Sequence, residues 1–409
     1  MSRQDRPSTA RPACGQRIAF LFNHDQIHQV RHALPIALAL ARTDFPGEII
    51  VATTTPALAA EVEWLSHVDG SSNIRHVTLK TGWLARLAGR LLGAAAPAAK
   101  LLVYQQNLDF FRSLDMLVVT EKTSLLLKNR YRLDKLFMVH TRHGAGDRAI
   151  GFDPASARFD HVLCSGPLIA DRLVQQAHVD PDRISIVGYP KFDTVDVRQK
   201  RPENKAGHRR TILYNPHPSP RLSSWYRHGR SLLRVLVEDR DQNVIFAPHV
   251  MLFARPIVIT VDPLAIAMPG RLPADITRAP NLLIDLGSRA STDMTYTQAA
   301  DIYVGDVSSQ IYEFIVNPRP CVFVNSHGVD WRGKPDFAHW QAGPVIDEPA
   351  QLPAAIAKAV ELHEAVYRPI QQRLIAERFD LSLQPSSARA AARIAQLAAG
   401  LRRQENGAC

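Results

Sequence analysis

The chain holds 409 residues, 46% hydrophobic and 22% charged, the balance of a soluble globular protein with room for two domains or one large one. Its net charge of +10 suits a phosphorylated substrate, anionic lipid or nucleic acid, or reflects only an arginine-rich genome; without interleaved aromatics or a recognisable module, nucleic acid is set aside. Four scattered cysteines with no CxxC pair exclude a disulfide framework or zinc site and favour a reducing compartment, and no run of about 18 uncharged apolar residues offers a membrane span.

Residues 1–16 are polar and basic with no apolar core behind them, as expected of a disordered tail and not of a signal peptide. "RIAFLF" (17–22) then has the continuous apolar character of a parallel strand covered on both faces. "HQVRHALPIALALART" has helical spacing, "GEIIVATTT" reads as a second strand, residues 55–66 as a helix and "IRHVTL" as a third strand. This is the alternation of a doubly wound sheet. His24, His28 and His32 recur at four-residue spacing, but no acidic ligand set accompanies them, so packing or an acceptor-side role is expected in place of metal.

Residues 83–101, "WLARLAGRLLGAAAPAAKL", put Trp83, Leu84, Leu87 and Leu91 on one helical face and Arg86 and Arg90 on another. Such a helix either lies on an anionic bilayer or packs on its own domain. Strand-like runs resume at "LDMLVVT", "KLFMVHT", "FDHVLCSG" and "RISIVGYP". The charged stretch 197–210 reads as a linker, and a second α/β series follows: "TILYNP", "NVIFAPH", "NLLIDL", "ADIYVGD" and "PCVFVN". Within it, "ARPIVITVDPLAIAMPGRLPADITRAP" is a Pro-rich excursion the length of a lid or large loop. The chain finishes with two helices, the last carrying an apolar stripe of Ile394, Leu397 and Leu401, with Ser386 or Ser387 expected to cap it.

The expected domains are therefore 17–196, a linker 197–210, 211–372, and a helical segment 373–409 returning to the N-terminal domain. Ligands of open α/β sheets bind outside the carboxyl ends of the strands, so chemistry is sought there, in a cleft between the two domains.

Several strand ends carry unusual polar density. "VHTRHGAGDRAIGFD" (139–153) supplies His143, Gly144 and Arg148; glycines admit close backbone approach and a histidine can take a proton, though a solvated Gly-rich turn has the same composition. "IFAPH" places His249 after a strand, where a packed turn histidine is the plain alternative. "LYNPHPSPRLSSWYRHG" gathers Asn215, His217, Ser219, Arg221, Ser223 and Ser224. "DIYVGDVSSQIYEF" (301–314) puts Asp306, Ser308 and Ser309 between a strand and a helix. With Ser308 as N-cap and Gly305 leaving room, the helix start would hold phosphate, with Glu313 one turn later; ordinary capping explains the same residues. GxxxxGK[ST], HExxH, GxSxG and a dinucleotide fingerprint are all missing.

Taken in order, "RHGAGDRAIGFD", "GYPKFD", "ILYNPHPS", "APH" and "ADIYVGDVSSQIYEF" resemble the motif series of the CDP-glycerol glycerophosphotransferase family of cell-envelope polymer enzymes, over about residues 137–350. The resemblance implies a GT-B-like α/β fold of two Rossmann-like doubly wound parallel-sheet domains facing an interdomain cleft. It implies transfer of a polyol phosphate from a CDP-linked donor to a glycan or lipid-linked acceptor, on the inner face of the cytoplasmic membrane. His143 would be the base and His249 would stabilise the leaving CMP. Ser308, Ser309 and the helix start would hold phosphate oxygens, Gly144, Asn215 and Asp306 would belong to the donor site, Glu313 would bind ribose, and Arg148 and Arg221 would touch phosphate. No metal or cofactor enters this scheme. A GT-B sugar-nucleotide enzyme, either a glycosyltransferase or a UDP-sugar 2-epimerase, is the alternative; a non-catalytic binding protein of the envelope pathway is a third.

Overall fold

The computed structural model describes residues 15–23, 27–70, 73–82, 97–142, 149–195, 197, 209–261 and 264–407. His143, Gly144 and Arg148, and most of the amphipathic segment 83–101, lie outside the described residues. The chain divides into two compact units. The first comprises Met1–Gly144, Phe152–Thr194 and Arg378–Cys409, the second Ala145–Gly151 and Val195–Glu377.

The first unit is built on seven strands: β1 (Arg17–Phe22), β2 (Glu48–Thr53), β3 (Arg75–Thr78), β4 (Met116–Val119), β5 (Phe137–Thr141), β6 (His161–Cys164) and β7 (Ile184–Ile186). They lie in the order β3-β2-β1-β4-β5-β6-β7 and every pairing is parallel. All six residues of β1 are buried, as a central strand covered on both faces requires. The exception to its apolar character is Arg17, 1% exposed: its Nε donates to Glu48 at 2.6 Å, and its backbone N–H donates to the Asp115 carboxylate at 2.8 Å. A buried guanidinium is tolerable because it is paired and hydrogen-bonded.

The C-terminal helix Ser386–Gly407 packs on the helix Val30–Ala41, with Ala390, Ala391, Ile394 and Ala398 buried in that core and Leu397 and Leu401 against its margin. The apolar stripe read from the sequence is the packed face; burying a large aliphatic side chain such as Ile394 contributes roughly 1.5–3 kcal/mol. Its cap is not a serine side chain. The Asp193 carboxylate accepts the backbone N–H groups of Ser386 at 3.1 Å and Ser387 at 2.6 Å, so a residue nearly two hundred positions upstream satisfies the helix start. Gly188 stands at φ +83°, and a Cβ there would lie 2.3 Å from Ser386 Oγ and 2.8 Å from the Asp380 carbonyl. Tyr189 is buried against His32, Phe192 and Phe379. The "GYPKFD" stretch is thus the seat of the C-terminal helix, and His32 is a packed histidine.

The second unit has a six-stranded sheet, β12-β9-β8-β13-β14-β15, also wholly parallel. Its strands are β8 (Arg210–Asn215), β9 (Gln242–Phe246), β12 (Leu282–Ile284), β13 (Ile302–Gly305), β14 (Cys321–Val324) and β15 (Val345–Ile346). The excursion expected to be a lid or loop contains instead an antiparallel hairpin, β10 (Val258–Val261) and β11 (Leu264–Ala267). Its period-2 pattern is hidden because the exposed face, normally polar, carries Ile259, Leu264 and Ile266. Arg319, 8% exposed, donates to the carbonyls of Ala300 at 2.7 Å and of Phe314, closing the C-terminal ends of two short helices.

Candidate functional site

Chain order reverses between β8 and β13 in the second sheet, so the loops leaving these two strands diverge and open a crevice at their carboxyl ends. Asn215 ends β8 and Asp306 follows β13. The sequence candidates of this unit converge on that place.

Asp306 is fully buried, and its carboxylate faces inward. Oδ1 accepts the His217 N–H at 2.9 Å; Oδ2 accepts the Ser224 N–H at 2.6 Å and the Ser224 hydroxyl at 2.9 Å. Its carbonyl accepts from His339 Nε2 and Trp340 Nε1, both at 3.1 Å. Burial pushes the carboxyl up to about 7, and the donors from Ser224, His217 and Val307 pull against that rise. The Asp306 side chain therefore anchors the 216–224 loop over the sheet, the role of a positioning residue. Ser326 Oγ donates to the Ser223 carbonyl at 3.2 Å and supports the same loop.

That loop brings His217 beside His249, which follows β9; their ring centroids are 6.0 Å apart. The His217 Nδ1 accepts the Ser219 N–H at 3.0 Å, and the His249 Nδ1 accepts the Met251 N–H at 3.3 Å. A backbone N–H aimed at Nδ1 requires a lone pair there, so in each neutral ring the proton sits on Nε2. Two imidazoles fixed as Nε2–H donors are suited to anionic oxygens. The His249 N–H also donates to the Pro216 carbonyl at 3.1 Å, tying the two loops together.

A small recess lies at the ends of β8 and β9, lined by Asn215, Ala247, Ser291, Met294, Tyr296, Gln310 and Glu313 among others. Asn215 is itself fixed: its Nδ2 donates to the Ala247 carbonyl at 2.6 Å and its Oδ1 accepts from Tyr303 OH at 3.2 Å. Glu313 is buried in the wall. Met294, Tyr296 and Gln310 carry no motif and were not among the sequence candidates; the sole local sign is Met294 in a left-handed conformation at φ +73°.

The junction that opens "DVSSQ" is tighter than expected. The helix is Gln310–Ile315, six residues, with Ser309 already helical. The Ser308 hydroxyl oxygen accepts the Gln310 N–H at 3.3 Å, a capping contact, and Ser308 is buried while Ser309 is half-buried. Six residues sustain little macrodipole. Gly305 does not leave space for a ligand: a Cβ there would lie 2.5 Å from the Tyr303 ring. Arg221 is exposed on the loop. Among the described residues no group of three or more His, Cys, Asp or Glu is placed to hold a metal ion.

No known family's sequence pattern and no curated protein match the chain. Solved structures do. The wall teichoic acid polymerase TagF superposes with a TM-score of 0.56 at 13% identity, covering 98% of this chain and 91% of that one. A TagF variant soaked with CDPG gives 0.58 at 15% identity, with 98% and 91% covered. A UDP-N-acetylglucosamine 2-epimerase from Listeria monocytogenes, described as putative, gives 0.56 at 10% identity, with 93% and 95% covered. The similarity extends through the N-terminal half, where the motif series was silent. The chain thus has a two-domain GT-B-like α/β fold, shared with these solved structures.

Proposed function

We propose that this chain is a transferase that moves a glycerol-phosphate or related polyol-phosphate group from a CDP-activated donor to an acceptor hydroxyl of a cell-envelope glycan or lipid, releasing CMP. The observation that carries this reading is the pair of Nε2–H imidazoles, His217 and His249, set at the switch point, with a recess walled by Glu313 and Asn215 at the same strand ends. A pyrophosphate against the histidines and a ribose against Glu313 match those groups in charge and hydrogen-bonding sense. The motif series supports the same donor, and so does the similarity to a polymerase structure soaked with CDPG.

In the reaction, the acceptor oxygen forms a bond to the distal phosphorus while the bond from that phosphorus to the bridging oxygen breaks. CMP leaves with the electron pair, and the acceptor proton passes to a base, assigned by resemblance to His143. His249 donates to the charge developing on the departing CMP, a contact worth more in the transition state than in the ground state. Ser309 and Gly144 hold phosphate oxygens, with Arg148 and Arg221 as outer cations, while the buried Ser308 shapes the turn that presents Ser309. Asp306 acts through the loop it anchors. The reaction takes place at the cytoplasmic side of the envelope.

Similarity to a 2-epimerase supports a second reading, a sugar-nucleotide enzyme on the same fold. Purified protein incubated with CDP-polyols and UDP-sugars, with release of CMP and UDP followed, separates the two. CMP release abolished in His143→Ala and His249→Ala supports phosphotransfer; UDP release, or C2 epimerisation of the sugar, overturns it.

A further inference from the structure

The β10–β11 hairpin displays an apolar face to solvent. Its register pairs Ile259 with Ile266, so these two share one side of the ribbon, and Leu264, two residues before Ile266, lies on the same side. Ile257 and Met268 continue the alternation. Ile257, Ile259, Leu264, Ile266 and Met268 are 49–72% exposed, whereas Val258, on the other side, is buried at 7%. The face is not a frayed loop. Its base is held by Trp225 Nε1 and Arg230 Nη2, which donate to the Pro269 carbonyl at 2.9 and 3.1 Å, and by Phe253 packed edge-on against Trp225 at 5.3 Å.

A ribbon of four residues and two strands spans roughly 13 Å by 10 Å, far less than the ~800 Å² each partner contributes to a standard protein interface. Protein-binding faces also concentrate Trp, Tyr and Arg and carry hydrogen-bonding groups, whereas the exposed side chains here are aliphatic or thioether throughout. Such a face matches hydrocarbon. Exposed Arg255 and Arg271 stand where the chain enters and leaves the hairpin, and between His249 and Ala274 the single acidic residue is Asp262. That is the charge complement of anionic headgroups around an apolar wedge. We propose that the hairpin face docks on the surface of an anionic lipid bilayer, with its aliphatic side chains among the acyl chains and Arg255 and Arg271 at headgroup level.

The test is co-sedimentation of the full chain with vesicles of phosphatidylcholine alone and of phosphatidylcholine mixed with phosphatidylglycerol. Wild type should pellet with the anionic vesicles, and the triple variant Ile259→Ser/Leu264→Ser/Ile266→Ser should bind at least about tenfold more weakly. Arg255→Ala/Arg271→Ala should lose most of the dependence of binding on phosphatidylglycerol and on salt. Both variants change exposed side chains, and an unaltered thermal unfolding profile verifies their fold. Wild type left in the supernatant overturns the proposal. So does a triple variant that binds as wild type, which would assign the contact to another element. A dimer in light scattering that dissociates only in the triple variant would make the face a self-association surface instead.

Discussion

The Asp306 carboxylate accepts the Ser224 backbone N–H at 2.6 Å across 82 residues of sequence, and through this contact the end of β13 dictates where the loop after β8 runs. In Asp306→Asn one amide face presents N–H to a backbone N–H, leaving at least one buried donor unpaired. The expected cost is roughly 1–3 kcal/mol per orphaned donor, read by chemical denaturation, together with a large loss of turnover because His217 is no longer held.

The same residue predicts a pH dependence. Its carboxyl is raised to about 7 in the folded protein, above the unfolded carboxylate value of 3.8, so the native state binds the proton more tightly. The contribution is present in full below about pH 4 and is lost as pH rises through about 7. The stability advantage of wild type over Asp306→Asn should therefore shrink between those limits, by about 1.4 kcal/mol for each unit of pH within the window. A difference that grows with pH across that range would contradict the assignment.

His249→Ala removes a fixed Nε2–H from the proposed pyrophosphate. Loss of one such donor lowers kcat by roughly 10²–10³-fold, while the backbone bonds of residue 249 to Pro216 and Leu252 persist and the fold survives. Steady-state CMP release with the best CDP-polyol measures this. His217→Ala should show the same direction of change.

Glu313→Gln tests the ribose contact. A group that binds the part of the donor distant from the reacting phosphorus contributes equally to ground and transition states, so KM for the donor should rise with kcat little changed. An equal fall in kcat and kcat/KM would instead place Glu313 at the reacting centre.

Gly188→Ala places a methyl group within 2.3 Å of Ser386 Oγ in a left-handed backbone. The first unit should lose at least about 1 kcal/mol, and protease should release the C-terminal helix more readily. Asp193→Ala, which orphans two N–H groups of that helix, should behave likewise.

Every strand of the two sheets except the two-residue edge strand β15 was legible, because a central parallel strand needs an unbroken apolar run, and β1, β8 and β13 supply one. The hairpin was not legible: alternation marks a half-buried ribbon only when its exposed face is polar, and Ile259, Leu264 and Ile266 make this one apolar. The strand-to-helix junction before Glu313 could be read because a serine between two apolar runs is a local signal, although the helix opens at Gln310 and not directly after Ser308. The inward turn of Asp306 could not, since its partners Ser224 and His217 lie more than eighty residues upstream. The cap of the last helix failed for the same reason; a nearby serine is the local guess, and Asp193 is the distant fact.

The seating of residues 386–401 on the helix Val30–Ala41 also bears on synthesis. During translation the second unit, almost continuous in sequence, emerges complete while the first still exposes an apolar helix face awaiting residues 386–401. Folding on the ribosome should therefore run out of order, with the later-encoded unit closing first and the N-terminal one only once residues 386–401 have emerged. A nascent chain stalled before residue 386 would leave that face open to chaperones.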